Sequence, residues 1–179
     1  MKITKENIQN FDVSSRKEWI VTNGIGGYSA SSIIGLNTRK YHALLVAALG
    51  KSGDRYVVLS KLNESLVFPD KTVTISTNQC SNFIENGYVY QELFGYSMIP
   101  EFYYKVNDVE ILKKVAMKHG ENKVAVSYTI KTRTEDIQNL SIPSTLHRFL
   151  KHLYNKKPTA LSKRNATNGT NKIIQKSIT

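Results

Sequence analysis

Residues 18–45 read EWIVTNGIGGYSASSIIGLNTRKYHALL, and the reading of this stretch decides the fold. Trp19-Ile20-Val21 and Leu44-Leu45-Val46 are short apolar runs of strand length. Between them lies Asn23-Gly24-Ile25-Gly26-Gly27, a stretch suited to a tight reversal, because glycine reaches positive φ without a Cβ clash. A second turn at Gly35-Leu36-Asn37 leads into Arg39, Lys40, Tyr41 and His42. The text therefore predicts two loops held on one rigid sheet, with a cationic and aromatic edge beside it.

Outward from this stretch, the same grammar repeats. Thr38 to Leu49 reads as one long strand, and Gly50-Lys51-Ser52-Gly53-Asp54 as a turn. Arg55 to Phe68 carries one or two strands, and Thr72 to Thr77 alternates apolar and polar residues as a half-buried strand does. The clearest alternation comes later. Val124, Val126, Tyr128 and Ile130 share one face, as do Phe102, Tyr104 and Val106, with Asn107-Asp108 and His119-Gly120-Glu121-Asn122 placed to close hairpins. Met1 to Arg16 reads as a leader strand or loop. With no sustained helical period, the expected class is all-β, an antiparallel sandwich.

The chain has 179 residues, enough for one domain and a tail. Its formal charge of +11 is unevenly spread. From Gln138 to Thr179 there are eight Lys or Arg residues and no Asp or Glu, so most of the excess belongs to the tail. The body is residues 1–143. The tail, 144–179, is rich in Ser, Thr, Asn and Lys and is expected to be irregular. A polycationic tail can hold nucleic acid nonspecifically, but the ordinary charge of the body argues against that as the main function.

Cys80 is the one cysteine, which excludes an intrachain disulfide and a cysteine-only metal site. No apolar run reaches signal-peptide or membrane-span length, so cytoplasmic is the expected compartment. No metal-ligand spacing and no nucleophile elbow is visible, and no cofactor is expected. Of the candidate acids, no two are paired by the sequence in the way glycoside hydrolysis requires.

Several residues admit two readings. Gly24 to Gly27 could cradle a phosphate, but the loop lacks the residues that complete such motifs, and a tight turn explains it. Trp19 is a stacking platform or a core residue; its apolar neighbours favour the core. Arg39 and Tyr41 share strand parity and, with His42, form the best polar constellation. The alternative is a structural network in which Arg39 pairs with Glu18 or Glu64.

The ordered motifs resemble the N-terminal domain of bacterial and archaeal glycogen debranching enzymes of the amylo-α-1,6-glucosidase type. The matching residues are Glu18, Trp19, Thr22, Asn23, Gly24, Gly26, Gly27, Tyr28, Asn37, Thr38, Arg39, Tyr41 and His42. Leu59-Ser60-Lys61-Leu62, Pro100-Glu101-Phe102 and Met117 to Asn122 follow in order. The resemblance runs from about Glu18 to about Pro143. It implies a β-sandwich that packs on a separate catalytic α/α barrel and helps shape a cleft for glycogen or maltodextrin. It also implies candidate substrate-binding residues: Asn23, Gly24, Gly26, Gly27, Tyr28, Asn37, Arg39, Tyr41 and His42. The family's catalytic acids lie in the barrel, so no catalytic residue is expected here. The tail does not resemble the family and is read as disordered or as out-of-frame translation of a gene truncated before the barrel. The competing readings are a stand-alone α-glucan-binding module and a nucleic-acid-binding protein acting through its tail.

Overall fold

The computed structural model describes residues 1–49 and 53–132 with their side chains, and the backbone of Asn139–Ser141, Ser162–Asn168 and Asn171–Ile178. A short strand, β1 (Lys2–Thr4), leads into two brief helices, α1 (Lys5–Gln9) and α2 (Phe11–Ser14). The first sheet then forms from β2 (Glu18–Thr22), β3 (Tyr28–Ser32), β4 (Ala43–Leu49) and β5 (Asp54–Leu59), antiparallel in that order. β6 (Ser65–Val67) pairs with β7 (Thr72–Thr74), and β8 (Thr77–Cys80) with β9 (Phe83–Asn86). A 3₁₀ turn at Gly87–Tyr90 precedes β10 (Gln91–Tyr96), β11 (Pro100–Val106), β12 (Val109–Met117) and β13 (Val124–Lys131). β14 (Asn139–Ser141) pairs with β6, while β15 (Ser162–Asn168) and β16 (Asn171–Ile178) form a hairpin.

The large sheet has the order β1-β10-β11-β12-β13-β16-β15. Its inner face presents Phe102, Tyr104 and Val106 from β11, Ile111 and Val115 from β12, and Val124, Val126, Tyr128 and Ile130 from β13, all buried. The β11 and β13 positions are those that the sequence assigns to one face of each strand. Both expected hairpins close: Val106 pairs with Val109 around Asn107 at φ 52, and Met117 with Val124 around Gly120 at φ 75. Trp19, on the first sheet, packs edge-on against Phe102, with ring centroids 5.9 Å apart, and its indole N–H donates to the Ser32 carbonyl at 3.0 Å. It is a core residue that joins the two sheets of an all-β sandwich.

Four local expectations are corrected. The strand read from Thr38 begins only at Ala43, because the His42 amide donates to the Arg39 carbonyl and closes a turn. Thr72 to Thr77 is not one strand. It bends at Ile75-Ser76, where Ile75 donates its amide to the Glu64 carbonyl and the Ser76 carbonyl accepts from Gly87. The leader contains two helices, the second capped by Asn10 Oδ1 accepting from the Val13 amide at 3.2 Å. The tail expected to be irregular contributes two strands whose backbones extend the large sheet beyond β13. The boundary between Pro143 and Ser144 lies outside the described residues.

The sandwich has a polar joint at its centre. Glu64 is 3% exposed, and its Oε1 accepts from Lys113 Nζ at 2.5 Å and from the Tyr128 hydroxyl at 2.7 Å. Its Oε2 accepts from the Ser76 hydroxyl at 2.8 Å, and its backbone amide donates to the same Ser76 Oγ at 2.7 Å. Burial alone raises the Glu64 carboxyl, but the Lys113 charge and the hydrogen bonds from Lys113, Tyr128 and Ser76 hold it below its ordinary value. The carboxylate thus ties the segment after β5 to β12 and β13 of the opposite sheet. Lys61 is close by, donating to the Thr77 carbonyl and to Asn78 Oδ1, and burial pushes its amine down to about 8.

Candidate functional site

The residues singled out from the sequence fall into two groups, at opposite ends of β2. Glu18 and Asn23 bracket that strand, which at ~3.3 Å per residue separates them by about 16 Å.

The first group is a clasp. Asn23 is fully buried, and its Oδ1 accepts from the amides of Ile25 at 3.1 Å and Gly27 at 2.9 Å. Its Nδ2 donates to the Glu121 carbonyl and to Asn122 Oδ1, both at 3.0 Å. Asn122 in turn bonds both backbone groups of Ala48 on β4, accepting at 3.2 Å and donating at 2.8 Å. The glycines follow from this crowding. A Cβ on Gly27 would lie 2.5 Å from Asn23 Nδ2 and 2.7 Å from Asn122 Oδ1. Gly24 has φ +79, and a Cβ there would lie 2.4 Å from the His119 ring. Gly26 has φ +93, and its carbonyl accepts from Arg55 Nε at 2.9 Å. Two amides of the glycine loop are therefore already taken by Asn23, which is the arrangement of a locked turn and not of an open anion cradle.

The second group is a rim. Arg39, Lys40 and Tyr41 are exposed in the turn that His42 closes, so the shared strand parity expected of Arg39 and Tyr41 does not apply. Arg39 Nε donates to Glu18 Oε1, and His42 Nε2 lies 3.5 Å from the same oxygen. Of the two partners proposed for Arg39, the structure thus selects Glu18, while Glu64 belongs to the central joint. His42 Nδ1 accepts from the Thr38 amide at 3.2 Å. That nitrogen carries no proton, so the imidazole is neutral with its N–H on Nε2. Burial and the Arg39 charge push the His42 pKa down, against the opposing pull of Glu18. Asn37 braces the turn, accepting from Ser31 Oγ at 2.9 Å and donating to the Ser60 carbonyl at 3.2 Å. Tyr28 reaches across with its hydroxyl donating to the Tyr41 carbonyl at 3.2 Å. Lys40 Nζ stands 5.5 Å from the Tyr41 ring centroid, and that residue is 61% exposed.

Glu18 is the functional candidate that sequence reasoning treated only as a structural partner. Its signal was its position at the head of β2, opposite the cationic turn. A larger groove of about 390 Å³ runs along β10 to β13, past Leu93, Tyr103, Leu112 and Thr129, and contains none of the residues selected from the sequence.

Among the described residues, no group of three or more His, Cys, Asp or Glu is placed to hold a metal, and no helix is long and apolar enough to cross a membrane. The carboxyls of Glu64, Glu101 and Glu121 are held below their ordinary value, Glu64 and Glu101 each by a lysine partner and tyrosine hydrogen bond, and Glu121 by Lys118 and Lys123.

No curated protein and no solved structure matches the chain. The family model described as glycogen debranching enzyme N terminal matches residues 17–177, beginning just before Glu18 and continuing through β15 into β16. The match takes in the clasp, the rim and the central joint, and it extends well past Pro143, so the expectation that the tail does not resemble the family is corrected. The chain belongs to the glycogen debranching enzyme N-terminal family.

Proposed function

We propose that this domain is a non-catalytic, glucan-contacting part of a debranching enzyme, and that its rim of Glu18, Asn37, Arg39, Tyr41 and His42 faces an α-glucan such as glycogen or maltodextrin. In this reading the hydrolysis of the α-1,6 branch linkage belongs to a catalytic barrel on which the sandwich packs, and the enzyme works in the cytoplasm without a cofactor. The clasp at Asn23 to Gly27 supports the rim by fixing the far end of β2 and β3.

The observation that carries the reading is Tyr41. The residue is 61% exposed, yet its backbone is pinned in a closed turn by His42, Tyr28 and Asn37. An aromatic face held open to solvent beside fixed polar groups suits a pyranose, which offers one apolar face and a girdle of hydroxyls. Electrophoresis of the chain through gels containing glycogen tests this. The wild type is expected to be retarded, and Tyr41→Ala to migrate as in a glycogen-free gel with an unchanged melting temperature. Equal retardation of the two proteins would remove Tyr41, and with it the rim, from the reading.

A further inference from the structure

Glu18 is the residue around which the rim is built. Both neighbours converge on one of its oxygens: Arg39 Nε donates to Oε1, and His42 Nε2 lies 3.5 Å from it. Both contacts fall on Oε1, and the Glu18 side chain is 33% exposed. His42 Nδ1 accepts from the Thr38 amide, and its Nε2 is the nitrogen that stands beside the carboxylate. Arg39 thus holds a partly exposed carboxylate by one oxygen, with His42 beside that oxygen, in the same rim as the exposed Tyr41.

We propose that Glu18 Oε2 accepts a hydrogen bond from a hydroxyl of an α-glucan laid against Tyr41, and that Arg39 and His42 act as positioning residues for this carboxylate and not as sugar ligands. The inference rests on the glucan-facing reading of the rim. A charged acceptor makes a stronger hydrogen bond to a hydroxyl than a neutral one does. Because Glu18 is held before the ligand arrives, little side-chain freedom is lost on binding. Arg39, with its Nε committed to Glu18, is set to orient the acceptor.

The test is calorimetric titration of the 179-residue chain with maltoheptaose, on the wild type, Glu18→Gln, Glu18→Asp, Arg39→Ala and the Glu18→Gln/Arg39→Ala double variant. Glu18→Gln is expected to weaken binding about tenfold. Glu18→Asp keeps the charge but withdraws the oxygen by one methylene, and is expected to weaken binding similarly. Arg39→Ala is expected to weaken binding in the wild-type background and to add nothing in the Glu18→Gln background, the mark of a residue that acts through another. Wild-type affinity in Glu18→Gln, together with loss in Tyr41→Ala, overturns this inference and leaves the glucan-facing rim standing. Additive losses in the double variant overturn the positioning role of Arg39. Failure of the wild type to bind removes the rim reading and this inference together.

Discussion

Replacing Lys113 with alanine is expected to remove about 3–5 kcal/mol from the stability of the domain. Lys113 and Glu64 are 7% and 3% exposed, so the substitution leaves a carboxylate in the core bonded by the Tyr128 and Ser76 hydroxyls, with Lys61 as a remaining nearby cation. It also removes the ammonium that stands 5.5 Å from the Phe102 ring. The double variant Glu64→Gln/Lys113→Met should recover much of the loss. The glutamine carbonyl still accepts from Tyr128, its amide can donate to Ser76 Oγ in place of accepting from it, and methionine refills the space without a charge. The same joint sets an acid limit. The Glu64 carboxyl is lower in the folded state than its ordinary value of 4.5, so its contribution is complete above 4.5 and is lost as pH falls through the folded value. Urea unfolding of the three proteins at neutral pH, and of the wild type down to pH 3, checks both statements. A loss below about 1 kcal/mol for Lys113→Ala would mean that the pair is hydrated and not sealed between the sheets.

The second large effect belongs to the clasp. Asn23→Ala orphans the amides of Ile25 and Gly27 and removes one of two partners from the Glu121 carbonyl and from Asn122 Oδ1, around a side chain that is fully buried. At about 1–3 kcal/mol for each unsatisfied buried group, with some relaxation, the expected loss is about 3–4 kcal/mol. Gly27→Ala should approach this loss for a different reason, because its Cβ would meet Asn23, Asn122 and the Val46 carbonyl at once. Both variants should also release the amides of Ile25 and Gly27 to solvent, which hydrogen exchange reads directly. A stable Asn23→Ala protein with those amides still protected would show that the turn is held by its glycines alone.

These two sites show what the sequence could and could not reveal. The strands from Phe102 to Ile130 were legible because one face of each is buried, so apolar residues recur every second position. Lys113 broke that pattern on the inward face of β12, and a cation there requires a buried partner. Its partner lies 49 residues earlier, however, and no local pattern links the two. The clasp was half legible. Asn23 to Gly27 read as a turn, and His119 to Asn122 as a hairpin tip, but their contact spans about a hundred residues of chain.

The rim misled for the opposite reason. Arg39 to His42 adjoins a strand, and parity assigned Arg39 and Tyr41 to one face. A backbone turn ends that periodicity before Ala43, and the two side chains are exposed for reasons of turn geometry. The leader helices, five and four residues long, are shorter than the window in which a helical period can be seen.

If the rim faces the glucan as proposed, it and not the groove along β10 to β13 should respond to ligand. The most direct measurement is an NMR titration of the chain with maltoheptaose, following every backbone amide. The account predicts shifts concentrated at Glu18 and from Asn37 to His42, with little change along β10 to β13. Shifts confined to the groove past Leu93, Tyr103 and Leu112, or none at millimolar ligand, would contradict it.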